Sequence, residues 1–93
     1  MQPATMSDVA RPTRDGLLGM FRSAATEVVE KDFHHVQEST VISELAIDSL
    51  GMLEIIGSME RQLRIQIPDE SLTGLNTIRD LLDVVEKRMA VAR

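Results

Sequence analysis

The chain has 93 residues, no cysteine, two Phe, no Trp or Tyr, and fifteen acidic residues against ten basic ones, a formal net charge of −5. That length suits one small domain whose core must be built from Leu, Ile, Val and Met. The acidic balance argues against nucleic acid as a partner and favours partners with basic surfaces. The missing thiols exclude disulfides and cysteine metal sites. No apolar run approaches the roughly 18 residues of a membrane span, and the first fourteen residues hold no apolar stretch fit for a signal peptide. A monomer in the cytoplasm is the resulting expectation.

Residues 1–12 are polar, carry Pro3 and Pro12, and read as a flexible tail, leaving 13–93 as the folded domain. Thr13 is placed to cap a first helix with Asp15 in its opening turn. Leu17, Leu18, Phe21, Ala24, Ala25, Val28 and Val29 recur at helical spacing and predict one buried stripe. From Asp32 to Ile47 the period is lost. β-branched residues gather there, but a lone strand lacks a partner in so short a chain, so a long structured loop pinned by Ile42, Leu45 and Ile47 is expected.

A second helix is predicted from Asp48 or Ser49 to about Leu63 or Arg64, with Leu50, Leu53, Ile56, Met59 and Leu63 facing inward. Pro68 ends any continuous helix. Asp69 suits the cap of a short third helix holding Leu72 and Leu75 and ending near Gly74. Thr77 and Asp80 form a box-like start to the last helix, whose inward residues are Ile78, Leu81, Leu82, Val85 and Met89. The expected fold is all-α: a small bundle of three main helices and one short one, with a long loop between helices one and two.

Ser49 is the candidate for chemistry. With Asp48 as N-cap, the Ser49 hydroxyl is not needed for capping and can project into solvent. A phosphodiester there would meet unpaired N–H groups at the positive end of the helix dipole. Taken alone, Asp-Ser is equally a good helix start, because capping residues occur at any helix N-terminus. His34 and His35, with Asp32 and Glu38 nearby, lack the spacing of a metal site and read as loop residues. No serine or threonine has a base positioned by the sequence, so no nucleophilic triad is expected and the chain reads as a non-enzyme.

The stretch from Thr40 to Ile78 resembles the acyl carrier protein family. In that family a T-x-L-x-x-L-G-x-D-S-L segment ends the long loop and opens the second helix; here it reads Thr40, Ile42, Leu45, Ala46, Asp48, Ser49, Leu50. Glu54 and Glu60 stand at the family's acidic positions, and Ile67, Pro68, Asp69 and Glu70 match its I-P-D-E turn. Thr77 and Ile78 match its start of the last helix. The resemblance implies 4′-phosphopantetheine on Ser49, donated by coenzyme A through a phosphopantetheinyl transferase that Asp48 helps to seat together with its metal. It implies a freestanding carrier that performs no chemistry and delivers thioester-bound acyl groups from a core able to open around the chain. Leu50, Glu54, Glu60 and Asp69 would lie on the face read by acyl-loading, condensing or tailoring enzymes with basic docking surfaces.

Ala46 stands where the family usually has Gly, Gly51 and Gly57 interrupt the second helix, and Arg61 replaces an acid. Each helical Gly costs about 1 kcal/mol against Ala. Either the bundle tolerates them, or Gly57 and Arg61 remodel the partner face of a carrier outside primary fatty-acid synthesis, as in polyketide or specialised fatty-acid pathways. An aminoacyl or peptidyl carrier is a competing reading, favoured by Gly51 after Asp-Ser-Leu. A helical interaction module without a prosthetic group is a more distant one.

Overall fold

The computed structural model of the chain describes residues 13–91; the expected tail over residues 1–12 lies outside them. Three helices dominate: α1 (Arg14–Val29), α2 (Ser49–Leu63) and α3 (Ile78–Val91). Two four-residue 3-10 turns, Ile42–Leu45 and Asp69–Leu72, sit in the connections. The bundle is all-α, as the periodicity requires.

Local chemistry sets the helix ends. The Gly16 N–H donates to Thr13 Oγ1 (3.1 Å), so Thr13 caps α1. At α3 the Asp80 N–H donates to Thr77 Oγ1 (3.3 Å), while Asp80 Oδ2 accepts from the Thr77 and Asn76 N–H groups (3.1 and 3.0 Å). These bonds, chiefly those from the Thr77 and Asn76 backbone, hold the Asp80 carboxyl below its usual range. α1 and α2 both end on a left-handed residue, Glu30 (φ 63°) and Arg64 (φ 59°), whose N–H returns to a carbonyl four residues back.

Leu17, Phe21 and Ala25 of α1, Ile55 and Met59 of α2, and Ile78, Leu81, Leu82 and Val85 of α3 are fully buried and form one core. Met20, Met52 and Met89 pack at its edge, where flexible thioethers fill irregular gaps.

The inward face of α2 differs from the expected one at its start: Ile56 and Met59 are buried as predicted, but Leu50 and Leu53 are not. Leu50 and Leu53 are 66% and 53% exposed, and the buried seam is Gly51, Ile55, Ile56 and Met59, with Leu63 half-buried. Apolar residues occupy most of the circumference of α2, so two interleaved helical series compete. Packing against α1 selects the series that contains Gly51, the residue without a side chain.

The short third helix is likewise reduced. Pro68, extended at φ −62° and ψ 146°, precedes the turn, and Asp69 is its first residue with no side-chain capping bond. Leu75 lies beyond the turn, and Gly74 at φ +79° redirects the chain.

The long loop is tied down more firmly than expected. Phe33 and Val36 are buried along with Leu45, whereas Ile42 and Ile47 are half-buried. The β-branched cluster does find a partner: Val41 forms an antiparallel bridge with Thr77. Ile42 N–H donates to the Asn76 carbonyl, Ile78 N–H to Thr40 and Arg79 N–H to Glu38, each at 2.9 Å. Arg22 donates twice to the Val36 carbonyl. Arg14 reaches Glu38 (3.1 Å), Asp83 (2.7 Å) and Glu86 (2.8 Å), joining the start of α1 to the loop and to α3. Burial opposes the Arg14 charge, but Glu38 and Asp83 outweigh it and drive its pKa upward.

Candidate functional site at the start of the second helix

Asp48 is extended at φ −75° and ψ 174°, and its Oδ1 accepts the Gly51 N–H at 2.7 Å. The Met52 N–H donates to the Asp48 carbonyl at 2.9 Å. Asp48 is therefore the cap, Ser49 is the first helical residue, and both are exposed. The N–H groups of Ser49 and Leu50 have no protein partner among the described residues. A hydroxyl free of capping duty stands next to two free donors at the positive end of a helix dipole.

The connection entering the site is strained and tightly packed. Ala46 adopts a left-handed conformation (φ 57°, ψ 36°), which costs a residue with a Cβ about 1–2 kcal/mol. A Cβ on Gly51 would stand 2.9 Å from Ile47 Cγ2 and 3.1 Å from Asp48 Oδ1. Gly51 thus lets the loop close against α2, and it has a packing reason. Gly57 has none: a Cβ there would meet only Arg61 Nη1, at 3.7 Å.

Beside the site lies an open groove of about 290 Å³ between the last turn of α1 and the first turns of α2. Val28, Val29 and Ile47 give it apolar walls, and Asp48 and Glu54 place carboxylates at its edge. Neither the groove nor the Ala46 strain was anticipated from the sequence. The only signal for the latter was alanine at a position where the related family has glycine.

The other candidate residues divide. Leu50, Glu54 and Arg61 are exposed on α2, and Gly57 is half-buried between them. Glu60 is half-buried, and its Oε2 accepts the Ile67 N–H at 2.7 Å, so this carboxylate shapes the turn after α2. Asp69 is exposed on a different element, the Asp69–Leu72 turn.

His34 and His35 are exposed, and His34 Nδ1 lies 2.6 Å from Asp32 Oδ1. The His34 backbone and then its ring hold the Asp32 carboxyl below its usual range. No group of three or more potential metal ligands occurs among the described residues, and no described helix is long and apolar enough to cross a membrane.

The residues present fit a phosphodiester-linked group: an accessible hydroxyl, free N–H donors for the phosphate, and space alongside for a chain. Such a group would supply a thiol that carries acyl groups as thioesters, while the protein's own residues orient and present it.

Residues 21–85 match the family described as a phosphopantetheine attachment site. An acyl carrier protein of Clostridium perfringens is 40% identical over 48 residues, covering 52% of this chain and 63% of that one. A meromycolate extension acyl carrier protein of Mycobacterium leprae is 40% identical over 50 residues, covering 54% of this chain and 44% of that one. The match to the first of these relatives thus spans a little under two thirds of its length. The crystal structure of an acyl carrier protein from Thermotoga maritima superposes with a TM-score of 0.78 at 28% identity, covering 86% of this chain and 94% of that one. The chain belongs to the acyl carrier protein family, non-enzymatic carriers whose prosthetic group is a covalently attached 4′-phosphopantetheine.

Proposed function

We propose that Ser49 is the attachment point of the arm and that the chain works as a monomeric cytoplasmic carrier, presenting acyl thioesters to enzymes that load, extend or modify them. The observation that carries this reading is the division of labour at the helix start: Asp48 caps, and Ser49 is left exposed beside two free N–H groups. A phosphopantetheinyl transferase would approach across Asp48 and Leu50. Later partners would use the exposed face of α2, with Leu50, Glu54, Gly57 and Arg61, and Asp69 of the following turn. The Glu60 carboxylate contributes there through the turn it holds. The acidic charge suits basic docking surfaces.

An acyl cargo of the polyketide or specialised fatty-acid kind is favoured over an aminoacyl one. One relative is a meromycolate extension acyl carrier protein, and packing against Ile47 gives Gly51 a structural reason that does not depend on an aminoacyl cargo.

Incubation with coenzyme A and a broad-specificity transferase should add one arm per chain by intact mass, and Ser49→Ala should abolish the adduct with the helical circular dichroism intact. The loaded chain should then accept malonyl or acyl groups from acyl transferases. Loading only by amino-acid-adenylating enzymes would assign the cargo to the other class.

A further inference from the structure

The exposed ridge of α2 is polarised along its length. Leu50, Leu53, Gly57 and Arg61 follow one another at intervals of three, four and four, so they share a face at about 3.6 residues per turn. At the Ser49 end stand the exposed carboxylates of Asp48 and Glu54 with the exposed Leu50 and Leu53. At the far end stand the exposed guanidinium groups of Arg61 and Arg64. Arg14 and Arg79 have carboxylate partners, and Arg22 and Arg88 donate to carbonyls. Arg61 and Arg64 make no ion pair among the described residues. Gly57 opens a gap between the two ends, with only Arg61 Nη1 near it. In a chain of net charge −5, Arg61 in the last turn and Arg64 at the C-cap suit the negative end of the helix dipole, yet both guanidinium groups stay exposed with no carboxylate paired to them among the described residues.

We infer that this ridge docks on an enzyme surface of matching polarity: cationic at the mouth that receives Ser49, and acidic at a rim about 18–22 Å away, the length of helix from Ser49 to Arg61 and Arg64 at about 1.5 Å per residue. An apolar side chain of that surface fits the Gly57 gap beside Leu53. A partner that is cationic throughout meets repulsion at Arg61 and Arg64, so the same two residues select for one enzyme and against another. The inference rests on the carrier reading and names the class of surface that the carrier meets.

The test uses the full chain with its arm, verified by mass before any binding measurement. Two probes are compared: a condensing enzyme whose docking face is cationic throughout, and a variant of it with two glutamates replacing cations about 18–22 Å from its tunnel mouth. Fluorescence anisotropy should show the loaded chain binding the glutamate variant roughly fivefold to tenfold tighter, the size expected of two exposed charge pairs. Arg61→Glu/Arg64→Glu should reverse the preference, and Arg61→Gln/Arg64→Gln should abolish it. Equal preference in all three chains, or binding to neither enzyme, overturns the inference while leaving Ser49 as the anchor. Self-association of the loaded chain that Arg61→Glu/Arg64→Glu abolishes would place a second copy on the ridge and overturn it too. Failure of the arm to attach at all would instead overturn the carrier reading.

Discussion

The first turn and the middle of α2 use glycine in opposite ways. At the Ser49 end, Gly51 is buried beneath Ile47 and the Asp48 cap, where a Cβ would be 2.9 Å from one and 3.1 Å from the other. In the middle of the helix, half-buried Gly57 has only Arg61 Nη1 within reach of an added Cβ. The same residue, six positions apart in one helix, is a packing requirement in one place and a surface feature in the other. Helix propensity penalises both by about 1 kcal/mol, so propensity cannot distinguish them; the surroundings can.

The sharpest way to break this contrast is Gly51→Ala. Overpacking of about 1–3 kcal/mol should outweigh the propensity gain of about 1 kcal/mol, with a net loss of up to about 2 kcal/mol in thermal unfolding. If Gly51→Ala were stabilising, the loop would be far more yielding than its packing shows. Asp48→Ala removes the capping bond to Gly51 and should cost about 1 kcal/mol, read from urea unfolding.

Ala46→Gly acts on the strained connection just before the site. Relief of the left-handed alanine, less the extra entropy of the unfolded chain, should raise stability by about 0.5–1 kcal/mol. Gly57→Ala should also stabilise, by about 0.5–1 kcal/mol, because nothing opposes the gain in helix propensity; loss of stability there would reveal a contact that the geometry does not contain. Arg61→Gln should shift the unfolding midpoint least, within about 0.5 kcal/mol, as expected of an exposed residue without an ion pair.

The parts of the molecule legible in the sequence are those with local causes. Thr13, Asp48 and the Thr77/Asp80 pair could be read as caps because capping depends on residues three or four apart. Ser49 could be read as exposed for the same reason. What depended on distant partners could not be read. The bridge from Val41 to Thr77 spans too few residues to leave a period, and the three carboxylates around Arg14 come from the long loop and from α3, both distant in sequence. Ile56 and Met59 of α2 are legible as inward residues, but Leu50 and Leu53 continue the same helical series while Gly51 and Ile55 take the buried places at the start of the helix, and only packing against α1 decides between them. Ala46 departs visibly from the family's glycine in the sequence, but its left-handed backbone is a property of the closed loop.

The carrier's working group is fixed by where the arm attaches. Treat the chain with coenzyme A and a transferase, digest it, and locate the added mass by peptide fragmentation. The prediction is a single phosphopantetheine on the peptide containing Ser49, at that residue alone; an adduct on any other hydroxyl, or a chain that stays unmodified while a control carrier is loaded, would contradict it.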